Sequence, residues 1–395
     1  MSERFINPAV SAVPPSAIRR FFDVAGTMKN AISLGVGEPD FVTPFKVRNS
    51  AIDSLLDGET SYTTNAGIQP LREEIALYLK ERFGLSYSPH TETLVTVGAS
   101  EAIDIAMRAL VSPGDEVLIP EPCYISYGAC AMFAGGTPVY VPTRAETGFE
   151  LTPEDLERCI TKKSRVLVLS YPNNPTGGVM PPEKLAAIAE VAVRHDLFVL
   201  SDEIYAELCY DGFRQQSIAG FPGMRERTMV ISGFSKAFAM TGFRLGYLCA
   251  DEPIVAAVSR IHQYTIMCAS RQSQVASWSA LRQGRENGYA EVVRMRESYD
   301  RRRRLTLDSF RDMGLPCFEP RGAFYTFPSI RHTGLSSEAF CDRLLTEYHV
   351  VCVPGSAFGS SGEGHIRCCY ATAVDKLMEA FERIGAFLEK LKQEK

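Results

Sequence analysis

The chain has 395 residues, a formal net charge of −5 and 45% hydrophobic residues, which is the balance of an ordinary globular protein. Its length is sufficient for two hydrophobic cores. The acidic charge argues against a nucleic-acid partner, which normally requires a basic surface. No apolar run reaches the roughly 18 residues that a membrane helix needs, and the first residues lack the basic and apolar regions of a secretory signal. We therefore expect neither a membrane nor a nucleic acid as partner.

The chain contains eleven cysteines and six histidines. The number of cysteines is odd and no CxxC pair occurs, so a disulfide framework is not indicated. The histidines do not cluster with cysteines, and a zinc site has no support. We therefore expect no bound metal and a reducing compartment, the cytoplasm.

In chain order, the first forty residues hold Pro14, Pro15 and Pro39 together with Gly35 and Gly37, which favours an extended arm. Short apolar runs then alternate with helical patterns, which predicts an α/β fold with a mainly parallel seven-stranded sheet between helices. The predicted strands are Thr93–Val97, Glu116–Ile119, Thr137–Val141, Arg165–Ser170, Phe198–Ser201, Thr228–Ser232 and Arg244–Ala250. The helical segments between them include Glu101–Leu110, Pro182–His195 and Pro253–Gln263. Right-handed crossovers would place a ligand at the edge where the strands end.

The last hundred residues differ in pattern. A long helix that carries Arg301–Arg304 precedes short strands and an amphipathic helix, Asp375–Lys392. We expect the four arginines to lie on a solvated face. The predicted division is an arm with part of a small domain in residues 1–42, a large domain in residues 43–290 and a smaller α+β domain in residues 291–395.

The first chemical motif is the Gly98-Ala99-Ser100 turn between a strand and a helix. The N–H groups of Ala99 and Ser100 at a helix N-terminus could hold a phosphate. The same turn could equally be a good helix cap without a ligand, and it is not the GxGxxG pattern of a dinucleotide site.

Two further motifs follow predicted strands. The Tyr171–Gly177 loop contains two prolines, so it should be stiff and able to present Asn174 as a hydrogen-bond donor. Asp202 lies where the next strand ends, and its carboxylate there suits a protonated ring nitrogen. Taken alone, the Tyr171–Gly177 loop could be an ordinary β-turn, and Asp202 could be a capping residue at the end of its strand.

Lys236 is the most informative residue. It lies among small and aromatic residues, before a glycine-rich stretch that ends at Arg244, and a surface lysine fits this setting poorly. Burial and the charge of Arg244 would both lower the lysine pKa, which favours the neutral amine. The guanidinium of Arg244 is suited to a phosphate.

Together these segments resemble the class I/II aminotransferases, which use pyridoxal 5′-phosphate (PLP) and have PLP fold type I. The resemblance extends over nearly the whole chain. It is nearest to provisionally named aminotransferases of the bacilli and, more loosely, to N-acetyl-L,L-diaminopimelate aminotransferases. Further segments that match the family are Ile32–Phe41, Ser61–Gly67, Gly322–Tyr325 and Val353–Ser356.

The resemblance implies a role for each residue around the cofactor ring. Lys236 would bond to the cofactor aldehyde and later move the substrate proton. Asp202 would pair with the ring nitrogen, Asn174 and Tyr205 would hydrogen-bond the phenolic oxygen, and Tyr124 would stack on the ring.

The resemblance also implies which residues hold the phosphate and the substrate. Ala99, Ser100, Ser235 and Arg244 would bind the phosphate, joined by Tyr62 from a neighbouring subunit of a homodimer. The substrate α-carboxylate would be held by the residues Arg367, Asn174 and Gly37, with the arm around Ile18 closing over the substrate.

The expected activity is transfer of an amino group between amino acids and 2-oxo acids, by a ping-pong mechanism. Relatives that prefer dicarboxylates often have a lysine just after the glycine turn, where we place Glu101, so strict aspartate specificity is not expected. Arg271 could replace that cation from across a dimer interface, or it could be structural. A broad donor range with 2-oxoglutarate as acceptor is the working expectation.

Two alternatives use the same scaffold. A C–S lyase would eliminate rather than transfer, and would release pyruvate and a thiol without needing an oxo acid. A PLP-sensing transcription regulator would need a DNA-binding module, for which this acidic chain has no spare N-terminal helix-turn-helix segment.

Overall fold

The computed structural model describes residues 2–15, 28 and 30–394. The helices of this part are α1 (Pro8–Ser11), α2 (Phe45–Leu56), α3 (Gln69–Phe83), α4 (Gly98–Leu110), α5 (Ser126–Phe133), α6 (Pro153–Cys159), α7 (Pro182–Arg194), α8 (Glu252–Thr265), α9 (Arg271–Asn287), α10 (Ala290–Asp312), α11 (Ser337–Tyr348) and α12 (Val374–Gln393). The strands are β1 (Ile32–Ser33), β2 (Thr93–Thr96), β3 (Glu116–Glu121), β4 (Thr137–Pro142), β5 (Ser164–Ser170), β6 (Phe198–Asp202), β7 (Thr228–Gly233), β8 (Gly246–Cys249), β9 (Tyr325–Thr326), β10 (Val350–Val351), β11 (Val353–Pro354) and β12 (Ile366–Cys369).

Seven strands form one sheet in the order β2-β8-β7-β6-β5-β3-β4. The pairs from β7 through β6, β5 and β3 to β4 are parallel, and β8 is antiparallel to both of its neighbours. This confirms the predicted α/β fold with a mainly parallel sheet. Because β8 runs against the others, its first residues lie at the edge where the other six strands end.

Helices cover both faces of this sheet. On β3, Val117 packs in one apolar cluster with Ile105 of α4, while the next residue, Leu118, packs in another with Ile188 of α7. Successive side chains of a strand point to opposite faces, so an apolar run such as this one belongs to a sheet that is buried on both sides.

The later part of the chain has its own apolar cluster. Strands β9, β11 and β12 form an antiparallel sheet, and β1 pairs with β10. Leu34, Phe324 and Ile366 pack there against Phe381 of α12. The domain limits at residues 42 and 290 stay a prediction.

Two sequence expectations are corrected by the structure. The strand predicted from Arg244 begins at Gly246, because Arg244 has left-handed backbone angles (φ 50°, ψ 51°) after a 3₁₀ turn at Thr241–Phe243. The solvated face predicted for Arg301–Arg304 is wrong for Arg303, whose side chain is 1% exposed. Its guanidinium donates to Asp211 (2.7 Å) and Asp300 (2.9 Å), which offset the cost of burying the charge.

Within residues 2–15, 28 and 30–394, no helix combines the length and the apolar character required to cross a bilayer. All eleven cysteines are free thiols.

Candidate active site

A cavity of about 410 Å³ opens at the edge where the parallel strands end. Among its lining residues are eleven of the thirteen predicted site residues: Gly37, Ala99, Ser100, Tyr124, Asn174, Asp202, Tyr205, Ser235, Lys236, Arg244 and Arg367. They come from the segment after β1, from the turns after β2, β3, β5 and β7, from the end of β6 and the turn that follows it, from the residues just before β8, and from β12. The sheet therefore gathers residues that are far apart in sequence.

Lys236 lies in the turn after β7 and points into this cavity. Its Nζ donates a hydrogen bond to the carbonyl of Gly37 (2.7 Å). Burial lowers the pKa of Lys236 to about 8, and the charges of Arg367 and Arg244 act in the same direction. Close to physiological pH the neutral form, which a nucleophile or base requires, is therefore a minority of the amine but far more populated than in an ordinary lysine.

Gly37 and Tyr325 form the wall beside this amine. A Cβ at Gly37 would lie 2.1 Å from the hydroxyl oxygen of Tyr325, so only glycine allows the backbone to approach so closely. The hydroxyl oxygens of Tyr325 and Tyr205 lie 2.9 Å apart. The two tyrosines thus pack the backbone of the Gly35–Glu38 segment close to Lys236.

Asp202 is the buried last residue of β6. Its carboxylate accepts a hydrogen bond from the Tyr127 hydroxyl (2.7 Å) and one from the backbone N–H of Ile204 (3.2 Å). Burial raises the pKa of Asp202, and these two bonds and the charge of Lys236 oppose the rise. A protonated ring nitrogen at this position would further stabilise the ionised form.

Arg367 lies on β12 with its guanidinium buried between two aromatic rings, 4.5 Å from the centre of Tyr325 and 4.9 Å from that of Phe358. It donates to the Asn174 side-chain oxygen (2.8 Å) and to the Gly35 carbonyl (2.5 Å). In the described part of the chain, no acidic side chain forms an ion pair with it. A buried guanidinium with neutral acceptors is well suited to a carboxylate ligand.

The Gly98 turn and Arg244 lie side by side at another wall of the cavity. Gly98 has φ +73°, and a Cβ there would lie 2.8 Å from Nη2 of Arg244. The Nη1 group of Arg244 donates to the Thr241 carbonyl (3.0 Å). A Cβ at Gly246 would lie 2.5 Å from the backbone nitrogen of Ala99, so this glycine lets β8 approach the turn. The backbone N–H groups of a helix start and a guanidinium form a typical phosphate seat.

A carboxylate links the end of β3 to a later segment of the chain. Glu121, the last residue of β3, accepts hydrogen bonds from the hydroxyls of Ser360 (2.7 Å) and Ser361 (3.0 Å) and from their backbone N–H groups (3.1 and 3.3 Å). Nearby, the N–H of Cys123 donates to the Phe358 carbonyl (2.9 Å). The segment that carries Tyr124 is thereby fixed to the segment whose ring packs on Arg367.

Glu101 does not face the cavity, which corrects our reading of it as a residue that repels a distal carboxylate. Its side chain is 8% exposed and lies 2.7 Å from Nδ1 of His262. The helix begins at Gly98 rather than at Glu101, so the side chain that lines the cavity after the glycine turn is Ser100. The cavity wall therefore has a hydroxyl where we expected a carboxylate.

Three other predicted residues lie elsewhere. Tyr62 is 78% exposed and does not line the cavity of its own chain. Arg271 lies 3.3 Å from Glu59 in an ion pair and is likewise outside the cavity. Ile18, with the rest of the 16–27 segment, lies outside the described residues.

Sequence reasoning gave no role to several residues that line the cavity. Tyr127 is the clearest, because it bonds to Asp202, and its position one helical turn after Tyr124 was a usable signal. Glu38 also lines the cavity and accepts a hydrogen bond from Thr241. No local pattern pointed to Glu38, since Thr241 lies 203 residues away.

The donor set of this cavity fits PLP. The cavity offers an amine for the aldehyde, a buried acid for the ring nitrogen and a helix start with a guanidinium for the phosphate. Bound there, PLP supplies a ring that accepts the electron pair left when a substrate carbon loses a proton.

Comparisons with known proteins agree with this chemistry. The family model described as "Aminotransferase class I and II" matches residues 29–384. The protein YugH of Bacillus subtilis (strain 168), provisionally named an aminotransferase, is 54% identical over 386 residues, which cover 98% of this chain and 99% of that protein. The aromatic-amino-acid aminotransferase 2 of Thermococcus litoralis is 44% identical over 387 residues, with 98% and 99% covered.

Solved structures lead to the same conclusion. The aspartate aminotransferase from Thermus thermophilus with maleate superposes with a TM-score of 0.92 at 38% identity, covering 96% of this chain and 99% of that one. The resemblance drawn from the sequence is confirmed, as is PLP as the cofactor. This chain belongs to the class I and II aminotransferases of PLP fold type I.

Proposed function

We propose that Lys236 carries the cofactor and that the enzyme transfers the amino group of a broad range of L-amino acids, bulky and aromatic donors included, to a 2-oxo acid such as 2-oxoglutarate. One observation carries this proposal: the Lys236 amine, the Asp202 carboxyl and the Arg367 guanidinium line the same cavity. Transamination needs a base, a partner for the ring nitrogen and a group that orients the substrate carboxylate.

In this proposal each residue has a defined task. The Lys236 amine takes the proton from the substrate α-carbon and returns it on the cofactor side. Asp202 keeps a proton on the ring nitrogen. Asn174 and Tyr205 donate hydrogen bonds to the phenolic oxygen, and Tyr124 covers one face of the ring. Because the first oxo acid leaves before the second enters, the kinetics are ping-pong.

Arg367 orients the substrate by its α-carboxylate, with help from Asn174 and the backbone at Gly37. Its guanidinium is held by Asn174 and Gly35 and packed by two rings, so little freedom is lost when a carboxylate binds. The phosphate is held by Ala99, Ser100, Ser235 and Arg244.

A broad donor range is supported by the charge of the cavity. Among the described lining residues, the cations are Lys236, Arg244 and Arg367, each with a task already, and Glu38 adds a carboxylate. A distal carboxylate on the substrate would find no further cation among these described lining residues. One relative is named for aromatic amino acids and a structural neighbour for aspartate, so Arg271 from a second subunit remains the candidate for a dicarboxylate.

We also propose a cytoplasmic homodimer with shared active sites. Large apolar side chains are exposed on the described surface, among them Tyr62 (78% exposed), Tyr264 (88%) and Leu56 (79%). Burial in a second copy would remove them from water and would let Tyr62 reach the phosphate of the neighbouring site.

A scan of donors tests the proposal. The purified holoenzyme is mixed with each amino acid without an oxo acid, and the absorbance of the lysine-bound cofactor is followed. We expect loss of that band with several donors, aromatic ones included, and its return when 2-oxoglutarate is added. Lys236→Ala should show neither change. A response to aspartate and glutamate alone would contradict the broad donor range.

The same sample can exclude the C–S lyase alternative. A lyase would release pyruvate and a thiol from cystathionine in the absence of any oxo acid. We expect no such release at a rate comparable to amino transfer.

A further inference from the structure

A buried pair of ionisable side chains lies behind the Gly98–Ser100 turn. Glu101 is in the first turn of α4, and its Oε2 accepts the backbone N–H of Val97 (2.5 Å), the residue just before the helix. Its Oε1 lies 2.7 Å from Nδ1 of His262. Glu101 thus caps the helix start in the manner of a capping box, in which an acidic side chain binds the N–H of the cap residue.

His262 is fully buried on α8, and both of its ring nitrogens face acceptors. Nδ1 lies against the Glu101 carboxylate, and Nε2 lies 2.9 Å from the backbone carbonyl of Asn65. A carbonyl can only accept, so Nε2 must carry a proton. One further proton must lie between Nδ1 and Glu101. The pair therefore carries no net charge, whichever partner holds that proton.

This neutrality matters because of what the turn would bind. A lone buried carboxylate next to Ser100 would repel the phosphate dianion, and it would compete with it for the positive end of the helix. With His262 present, Glu101 can hold the Val97 N–H and leave the N–H groups of Ala99 and Ser100 for the ligand.

The same histidine also forms a hydrogen bond with the segment that carries Tyr62. Besides the bond from His262 to Asn65, the side-chain amide of Asn65 donates to the carbonyl of Met267, two residues beyond the end of α8 (2.8 Å). The segment Ser61–Gly67 is thus attached at Asn65 to the residue that pairs with Glu101.

From these contacts we infer that His262 is a positioning residue for the cofactor phosphate: by neutralising Glu101 it keeps the Gly98–Ser100 turn favourable to a dianion. The inference rests on the phosphate seat in the proposed function. His262 touches neither cofactor nor substrate, so its effect should depend on the presence of the phosphate group.

The experiment measures binding rather than turnover. The apoprotein is titrated with PLP and, separately, with pyridoxal, which lacks the phosphate. The dissociation constant for pyridoxal divided by that for PLP is then compared among variants. In His262→Leu the unpaired charge of Glu101 should reduce this ratio by about tenfold or more, because an uncompensated negative charge in a partly buried site repels a nearby dianion. His262→Gln, which keeps a donor but no charge, should show the same reduction and serves if the leucine variant does not fold.

The double variant Glu101→Gln with His262→Leu is the decisive one. Removing the carboxylate together with the imidazole should return the ratio to within about threefold of the wild type. The matched control is His195→Leu, which deletes the histidine of a more exposed pair, 3.8 Å from Glu157, and should leave the ratio unchanged.

Each outcome has a distinct meaning. If the His262 variants weaken PLP and pyridoxal equally, or if the double variant fails to recover, the inference is wrong and His262 is only a packing residue. If the wild-type protein itself binds pyridoxal as tightly as PLP, the phosphate seat in the proposed function fails instead.

Discussion

Replacing Lys236 by methionine should stabilise the apoprotein. The side chain is mostly buried, and the pKa of its amine is lowered from 10.5 to about 8, chiefly by burial. Each pKa unit corresponds to about 1.4 kcal/mol, so holding this amine protonated in the folded state costs about 3 kcal/mol. Methionine would lose the hydrogen bond to the Gly37 carbonyl, which contributes about 1 kcal/mol. The expected net gain at pH 7 is therefore about 2 kcal/mol.

The pH dependence follows from the sign of the shift. Below pH 8 the lysine is protonated in both the folded and the unfolded state, and the full cost is present. Between pH 8 and about 10.5 the folded state has lost the proton while the unfolded state retains it, so the stability of the wild type rises with pH. The advantage of Lys236→Met should accordingly shrink across this window and vanish near its upper end.

Urea unfolding of both apoproteins at pH 7 and pH 10, at one protein concentration, measures this difference. Lys162→Met, at an exposed lysine, is the control and should show no comparable dependence on pH. If Lys236→Met destabilises the apoprotein at pH 7, or if its advantage is the same at both pH values, then burial does not lower the pKa of this amine and our account of its reactivity is wrong.

Three further substitutions test the cavity walls. Arg367→Lys replaces the proposed bidentate contact with the substrate carboxylate by a single one. Since a hydrogen bond to a charged group contributes about 1.5–3 kcal/mol, kcat/KM for amino acids should fall by about 10- to 100-fold. The rate with an amine that has no carboxylate should not fall. Glu121→Gln replaces one of the oxygens that accept bonds from Ser360 and Ser361, and steady-state kinetics should show a several-fold higher KM with kcat nearly unchanged. Gly98→Ala places a Cβ at positive φ and against Arg244. Thermal unfolding should therefore show a free energy of unfolding lower by about 1–3 kcal/mol, and titration of the apoprotein should show weaker PLP binding.

The sequence was most informative where chemistry and local geometry coincide. Lys236, Asp202 and Asn174 each follow a strand, and parallel strands end at one edge, so a correct prediction of the strands also brought these residues together. The direction of the Lys236 pKa shift was predictable for the same reason, because uncharged neighbours in the sequence implied burial.

The errors arose where a side chain depends on partners far along the chain or on the register of a helix. Arg303 is buried because Asp211 lies 92 residues away in sequence and next to it in space, which no local charge pattern reveals. Glu101 was misread because the helix was expected to start there. The true start at Gly98 turns Ser100 toward the cavity, and Glu101, about 100° further round the helix, points to His262.

The two halves of the site belong to different parts of the chain, and their separation must still be fixed for the substrate to fit. The turn after β7 places the Lys236 amine, and β12 places the Arg367 guanidinium. Among the contacts that join the strand ends to the later segment are hydrogen bonds to the carboxylate of Glu121 and the bond from the N–H of Cys123. A carboxylate that accepts four such bonds is strongly directional, so it helps to hold the Phe358 ring, which also packs with Phe149 and Phe327, against Arg367. The distance between the Lys236 amine and the Arg367 guanidinium is thus set in part by Glu121, which need not contact either of them.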